Sequence, residues 1–475
     1  MFFCHRFFEL RFLVATNILG ELSKYGVVTL LLPKELASSY RTILKPNPNI
    51  KVAISLYEKS DLFLWTAWLN FWGDILYLTF PNTDKNPNAT AKFHRQHYRS
   101  KSILKRALVV NISRFISHFS RFLPLIVWLY QVALPRGSHQ VLLEKERPDL
   151  MIGCSFGLSL EDAIFLKEAQ ANRIPSAVVV QSWDRTSNKG CPTVWPDHVL
   201  VWNKIMEREA IVNLGFKKES IHVVGSALWD THFKKLKIKP CRRWRKKLSI
   251  PQKTKILFFA CGGFGNHAAN MTVIPSIFEL AQTQPFHDDI HIVFRVYPQY
   301  LSPVTRDGDG KRKKNELEEL LSKYKNESNI TILYPNVDFD GKNFIPNEQD
   351  HYQMTECLYQ CDVSLSQVSS QMIEACIFDK PALNIEFGRR QTEKYDLEIK
   401  EYKTEHLLRV YRTGAIYRVQ NQRELQATIA QALSKPAEKC AERKALVDQE
   451  APCNKGVAAA KTAKRLADLA RKKHR

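Results

Sequence analysis

No run of about twenty apolar residues occurs in this 475-residue chain, so no segment is expected to span a bilayer as a helix. The longest apolar stretch, Phe122 to Leu134, is interrupted by Pro124 and Gln131. Paired metal-ligand spacing is missing as well. Ten cysteines are scattered, and the closest two, Cys357 and Cys361, stand one helical turn apart without further ligands. Reduced, mostly buried thiols in a cytosolic setting are expected, and the sequons at Asn88, Asn111, Asn270 and Asn326 then carry no meaning. The opening MFFCHRFFELRFLV is broken by His5, Arg6, Glu9 and Arg11 and lacks a small-residue cleavage site, so a buried first strand and helix are expected there rather than a signal peptide.

Acidic residues are scarce. Against 70 Lys and Arg there are 48 Asp and Glu, a net charge of +22. Between Thr231 and Lys255 there are none, while basic residues crowd from Lys234 to Lys239 and from Arg242 to Lys247, and a second basic cluster, KTAKRLADLARKKHR, closes the sequence. With no zinc finger, no aromatic-interleaved basic sheet and no other recognition motif, nucleic acid is not the expected partner. An anionic inner-leaflet surface, a field drawing anionic substrates and a merely solvated basic face all stay open.

What is present is globular: 44% hydrophobic and 25% charged residues, in a chain long enough for two substantial domains. Two halves share one grammar of short apolar strands separated by helices, which predicts parallel sheets. In the first, a helix is expected over Phe12 to Leu22 and strands over 27–32, 51–56, 150–154, 176–181, 198–201 and 221–224. Residues 57–149 form an insertion with aromatic, amphipathic segments at 62–80 and 101–134 around a polar stretch. In the second half, strands are expected at 256–260, 291–296 and 330–334, with a helix from about Val273 to Thr283. The expected organisation is a Rossmann-like domain at 1–235, a second at 243–435, and closing basic helices at 436–475, with an active-site cleft between the two domains.

The segment from Cys361 to Gly388 carries the most information. It reads as strand Val363–Ser366, a loop of Ser369, Ser370 and Gln371, a helix from Met372 to Phe378 and a strand from Ala382 to Phe387. Such a βαβ unit can hold a diphosphate on free N–H groups, and Glu374 can accept hydrogen bonds from ribose hydroxyls. The plain alternative has Ser369 capping the helix and Glu374 decorating its exposed side. A second informative segment, QSWDRTSNKG (Gln181 to Gly190), begins at a strand end, where Asp184 and Lys189 would project toward ligand; as a turn, the same residues would only pack and bend the chain. After the strand at 256–260 comes Cys261-Gly262-Gly263-Phe264-Gly265, where glycine permits close backbone approach or simply a tight turn. His267 is ambiguous in the same way.

The Ser-Ser-x-x-x-Glu-Ala then Lys-Pro pattern at 369–381 resembles the donor-site segment of GT-B glycosyltransferases and of their relatives, the CDP-glycerol glycerophosphotransferases and UDP-N-acetylglucosamine 2-epimerases. Ser-Trp-Asp at 182–184, followed by Lys189-Gly190, Asp197, Trp202, Glu207, Gly225-Ser226 and Asp230, is similar to a string in surface-polysaccharide GT-B proteins, with Arg185 where that group often carries Asn. FRVYPQ at 294–299 resembles a segment in which these relatives place a basic residue and then His-Pro. Arg295 fits, but Tyr297 replaces the His, and no Trp-His-Gly segment is present; both count against a glycerophosphotransferase.

The resemblance implies an α/β protein of GT-B architecture, two Rossmann-like domains facing across a cleft, that moves a sugar from a nucleotide donor to a lipid-linked or polysaccharide acceptor of the cell envelope. It implies donor binding by Gly262, Gly263, Arg295, Ser369, Ser370, Gln371, Glu374, Lys189 and His406. No cofactor or metal is expected, in keeping with the lack of an Asp-x-Asp motif at a strand end; Asp307-Gly308-Asp309 reads more easily as a turn. For inverting transfer Asp184 is the first candidate base, with Glu161 and Asp162 behind it, whereas retaining transfer needs none. A 2-epimerase, a glycerophosphotransferase-like enzyme and a catalytically silent binding protein remain the alternatives on this fold. The expected location is cytoplasmic, peripheral to the inner face of the membrane if the basic surface meets lipid.

Overall fold

The computed structural model describes the chain except residues 35, 38–39, 41–46, 56–62, 80–102, 119–122, 136, 138, 156–158, 189–191, 236–237, 285, 287–288, 302–308, 340–343, 389–403 and 472–475. The chain divides into two compact units. One comprises Met1–Ala227, Asp396–Leu408 and Cys453–Arg475; the other comprises Leu228–Tyr395 and Arg409–Pro452.

The first unit holds a seven-stranded parallel sheet built from β1 (Phe2–Phe3), β2 (Val28–Leu32), β3 (Ile50–Ile54), β4 (Met151–Gly153), β5 (Ser176–Val179), β6 (His198–Val201) and β7 (Ile221–Val223). Their order is β3-β2-β1-β4-β5-β6-β7. β1, β2, β4 and β5 are buried along their whole length, as parallel strands covered by helices on both faces must be. The chain builds outward from β1 to β3, then returns to add β4 on the other side of β1. That reversal places a topological switch point between β1 and β4.

The second unit repeats the plan with β8 (Lys255–Ala260), β9 (Ile290–Arg295), β10 (Ile330–Leu333), then a small antiparallel hairpin of β11 (Val337–Phe339) and β12 (Phe344–Pro346), and β13 (Val363–Ser366), β14 (Ala382–Ile385) and β15 (Ile416–Val419). The parallel sheet runs β10-β9-β8-β13-β14-β15, with its switch between β8 and β13. Leu257 and Phe259 of β8, Ile292 and Phe294 of β9, and Val363 and Leu365 of β13 pack with Val273, Ile277 and Phe278 of the helix His267–Leu280 into one apolar core.

Three expectations need correction. The early helix is two helices, Phe7–Thr16 and Ile18–Leu22, because Asn17 adopts a left-handed φ of 54° that an α-helix cannot continue through. The helix expected from Val273 begins at His267, directly after a short 3-10 turn at Phe264–Asn266. The closing segment is shared by the units: the helix Cys440–Glu450 falls in the second, and the helix Ala458–Arg471 falls in the first, against the helix Ile18–Leu22.

The insertion contributes helices Phe63–Thr79, Ile103–His118 and Leu123–Ala133 to the first unit. They pack on one another through Leu69, Ile75, Val109 and Val127, and the Ser113 hydroxyl donates to the Ile75 carbonyl at 3.2 Å. No helix among the described residues is long and apolar enough to cross a membrane.

Candidate nucleotide site and first-sheet switch point

In the second unit, the switch point is flanked by the loop after β8 and the loop after β13. Gly262 and Gly263 follow β8. A Cβ on Gly262 would lie 2.7 Å from the Asn266 Cβ, so that glycine is demanded by its own loop, while one on Gly263 would meet side chains from beyond β9, the Gln299 Oε1 at 2.9 Å and the Tyr297 ring at 3.1 Å. Asn270 fastens the loop to the next helix, accepting from the Gly262 N–H at 3.2 Å and donating to its carbonyl at 2.8 Å.

After β13, Gln367 is buried with neither amide atom hydrogen-bonded. The Ser369 hydroxyl accepts from the Gln371 N–H, and the Ser370 hydroxyl donates to Glu374 Oε1 at 2.9 Å. Glu374, on the helix Gln371–Ile377, has its other oxygen 3.6 Å from His232 Nε2 and is 16% exposed. His232 stacks on His351 with centroids 5.4 Å apart, and its Nδ1 meets the Thr355 hydroxyl at 2.9 Å. Burial pushes the Glu374 carboxyl up, but His232, then Ser370 and His351, outweigh it and hold it below the usual carboxylate range. An ionised, partly open carboxylate at a strand-end crevice is suited to accepting hydrogen bonds from vicinal hydroxyls.

At the first unit's switch point, β1 runs into Cys4-His5-Arg6 and the helix Phe7–Thr16, and β4 runs toward Ser159, which caps the helix Leu160–Ala171 by accepting from the Asp162 N–H. Glu9 and Asp162 are each the third residue of these helices, where a negative charge is favoured by the helix dipole. His5 Nδ1 lies 3.5 Å from Glu9 Oε2 and 3.6 Å from Asp162 Oδ1, and its Nε2 is 3.7 Å from Glu161 Oε2. Burial, reinforced by the neighbouring Asp162, pushes the Glu9 carboxyl up to about 8. Asp184, beyond β5, accepts from the Ser182 hydroxyl inside its own turn, and Gln181 donates to the Cys154 carbonyl at 2.7 Å.

No protein-family model matches the chain, and no curated protein does either. Solved structures do. One is a UDP-GlcNAc 2-epimerase from Methanocaldococcus jannaschii, 13% identical, matched over 98% of this chain and 99% of that one with a TM-score of 0.51. Another is a UDP-N-acetylglucosamine 2-epimerase from Rickettsia bellii, 14% identical, matched over 99% and 97% with a TM-score of 0.50. The chain has their GT-B-like fold.

On this fold, several residues assigned from sequence have other employment. Arg295, at the end of β9, is buried with Nη2 on Asp350 and Nε 3.4 Å from Gln353; Asp350 is itself held by the Asn336 N–H. The Arg295 guanidinium is thus engaged by a buried carboxylate at the end of β9. Gln371 turns inward, donating to the Ser364 hydroxyl and the Leu365 carbonyl, both at 3.0 Å. His406 lies in the first unit, edge-on to Trp183, with its two nitrogens on Ser187 and Thr404. Lys189 lies outside the described residues. His267 is held by Tyr300 and Glu316. The nine described cysteines are free, and burial pushes Cys261, Cys361 and Cys376 up to about 12, which leaves them unreactive thiols.

Sequence reasoning passed over His232, His351, His5 and Glu9. The first stands beside a basic stretch whose charge is its dominant sequence signal. Glu9 carries a signal, a carboxylate three residues past the turn that ends the first strand, which the apolar run around it hides.

Proposed function

We propose that the chain is a nucleotide-sugar enzyme that takes a nucleoside-diphosphate sugar at the carboxyl-end crevice between β8 and β13. The observation that carries the reading is Glu374, kept ionised by His232 and Ser370 at the switch point of a Rossmann-ordered sheet. Ser369, Ser370 and the Gly262-Gly263 backbone are the proposed neighbours of the diphosphate. Of the reactions weighed on this fold, rearrangement of the nucleotide sugar itself has more support than transfer, because the structures that share the fold carry the name UDP-GlcNAc 2-epimerase. Asp184 and Glu161, past the carboxyl ends of β5 and β4, are the proposed protonatable groups.

A second reading, transfer to a membrane-borne glycan acceptor, is favoured by one observation. Leu104, Phe115 and Trp128 on the insertion helices are 83%, 67% and 57% exposed, and apolar side chains presented by neighbouring helices are what a lipid or partner surface would meet.

Incubation of the chain with UDP-GlcNAc, followed by proton and phosphorus NMR, separates the readings. A new sugar nucleotide, or free sugar with UDP, is expected from rearrangement. Turnover that appears only when a lipid-linked acceptor is added supports transfer, and UDP binding without turnover leaves a silent binder. If UDP, CDP and GDP all fail to raise the melting temperature, the nucleotide reading falls, since a ligand at 100 times its Kd stabilises by about 2.7 kcal/mol.

A further inference from the structure

We propose that Ser55, His139 and Glu168 form a relay of nucleophile, base and carboxylate that cleaves carboxylic esters, a second active site carried by the first unit. The inference does not rest on the nucleotide reading, which uses none of these three residues, and either can fail alone. The three come from segments far apart in sequence. Ser55 directly follows β3, and its N–H donates to the Leu32 carbonyl at 2.7 Å, which carries the β2–β3 ladder one residue further and fixes Ser55 at the carboxyl end of an edge strand. His139 stands at the start of the helix Gln140–Glu146, and Glu168 lies in the last turn of the helix Leu160–Ala171. The Ser55 hydroxyl is 3.0 Å from His139 Nε2, and His139 Nδ1 is 2.7 Å from Glu168 Oε2.

The order of these contacts is that of an activated serine, a hydroxyl on a base that is itself oriented by a carboxylate. Glu168 grips His139 twice, because its Oε1 also accepts the His139 backbone N–H at 3.1 Å. One side chain thereby holds both main chain and ring. With Nδ1–H donating to the carboxylate, Nε2 is the lone-pair nitrogen of the neutral imidazole, and it is the nitrogen that faces the hydroxyl. His139 and Glu168 are each 2% exposed, so solvent is kept from their bond, whereas Ser55 is half-buried and retains access to a ligand. A carboxylate that only tied down the helix start would need one oxygen for the backbone N–H. The second oxygen, placed on Nδ1, is what sets the ring up as a base. With an ester seated at Ser55, Oγ forms a bond to the acyl carbon while its proton passes to Nε2. The bond from that carbon to the alcohol oxygen then breaks, and the Nε2 proton leaves with the alcohol. Water next bonds to the acyl carbon as it gives a proton to Nε2, the Oγ–acyl bond breaks, and Oγ takes that proton back as the carboxylic acid departs. Only water is consumed. Ser55 and His139 are the catalytic residues, and Glu168 is a positioning residue.

The test is reaction of the full chain with a fluorophosphonate, followed by intact mass and peptide mapping, alongside hydrolysis of p-nitrophenyl acetate. One adduct per chain on Ser55 is expected, with ester turnover above the Ser55→Ala background. Ser55→Ala should lose the adduct while its melting temperature and circular dichroism stay with those of the wild type, since the pair of His139 and Glu168 remains. His139→Gln should slow labelling by about 100-fold or more, the usual worth of a positioned base. Glu168→Gln should lower kcat for the ester with KM little changed, because it acts on the chemical step through the ring. A role in packing alone would move the melting temperature and leave the kcat of the folded fraction as it was. No adduct on the wild type, an adduct kept by Ser55→Ala, or labelling of His139→Gln at the wild-type rate overturns the proposal and makes the three a structural hydrogen-bond network.

Discussion

At the scale of single residues, the chemistry of this chain turns on how buried titratable groups are accommodated. Glu374 is held ionised by His232 although burial opposes it. If it accepts ribose hydroxyls, Glu374→Gln should weaken UDP binding by about 1.5–3 kcal/mol, the worth of charge-assisted hydrogen bonds, with little change in melting temperature. Calorimetry with wild type and variant reads this directly, and equal affinities would take Glu374 out of the site. His291 in β9 presents the opposite case. Burial and the nearby Arg245 push its imidazole down to about 4, and its Nε2 meets the Thr331 hydroxyl at 2.7 Å. Unfolded, the same ring titrates near about 6.5. Below that value the unfolded chain gains a proton that the folded chain refuses, so this contribution to stability is whole above about pH 6.5 and declines as pH falls toward 4, by up to about 1.4 kcal/mol per pH unit. Urea unfolding from about pH 7 to pH 5 should therefore show a steeper loss for wild type than for His291→Gln. Parallel curves would mean the ring protonates in place.

At the scale of elements, the first unit depends on a turn after β7. Gly225 has φ of +88°, and a Cβ there would lie 2.9 Å from the Cys453 carbonyl oxygen and 3.1 Å from the Ala458 Cβ. The Asn454 side chain also donates to the Val224 carbonyl at 3.0 Å. The helix Ala458–Arg471 is thus seated on a position that only glycine can fill. Gly225→Ala should cost about 1–3 kcal/mol from backbone strain alone, with earlier proteolytic cleavage of the C-terminal helix. A variant as stable and as protease-resistant as wild type would show that this contact does not hold the helix. The turn bearing Asp184 is braced similarly, by Trp183 on His406 and by Ser187 on the same ring, so Asp184→Asn tests chemistry without removing the brace. If Asp184 is the protonatable group, turnover of UDP-GlcNAc should fall by roughly 10² while UDP affinity holds. A rate within about twofold of wild type would make Asp184 a turn residue only.

At the scale of the molecule, the net charge of +22 and the exposed apolar residues of the insertion raise the same question. The insertion helices bury one face on each other and leave Leu104, Phe115, Leu125, Trp128 and Leu129 outside, as an interfacial surface would. Sedimentation with vesicles should then be strong with anionic lipid and reversed by salt, since each basic residue near the surface contributes about 1 kcal/mol and is screened within a Debye length. Equal binding to neutral and anionic vesicles, or none at low salt, would leave the charge as a field acting on anionic substrates.

The amino-acid order alone determined the succession of the parallel strands in both halves and the loops that flank the second switch point, but not the hairpin of β11 and β12 or the helix Glu348–Gln360. Parallel strands buried on both faces must be short apolar runs, and the Gly262-Gly263 and Ser369-Ser370 punctuation falls where such runs end. It could not determine partners brought together by strand pairing across long separations. β1 is only two residues, too short for any periodicity to show, yet Phe2 pairs with Ile152, and that register sets the Glu9 helix beside the Asp162 helix. Likewise Arg295 and His406 look available in sequence, and the carboxylate and aromatic ring that occupy them come from distant parts of the sequence. Ligand-facing and structural roles use the same residue types, and only the neighbours supplied by tertiary structure separate them.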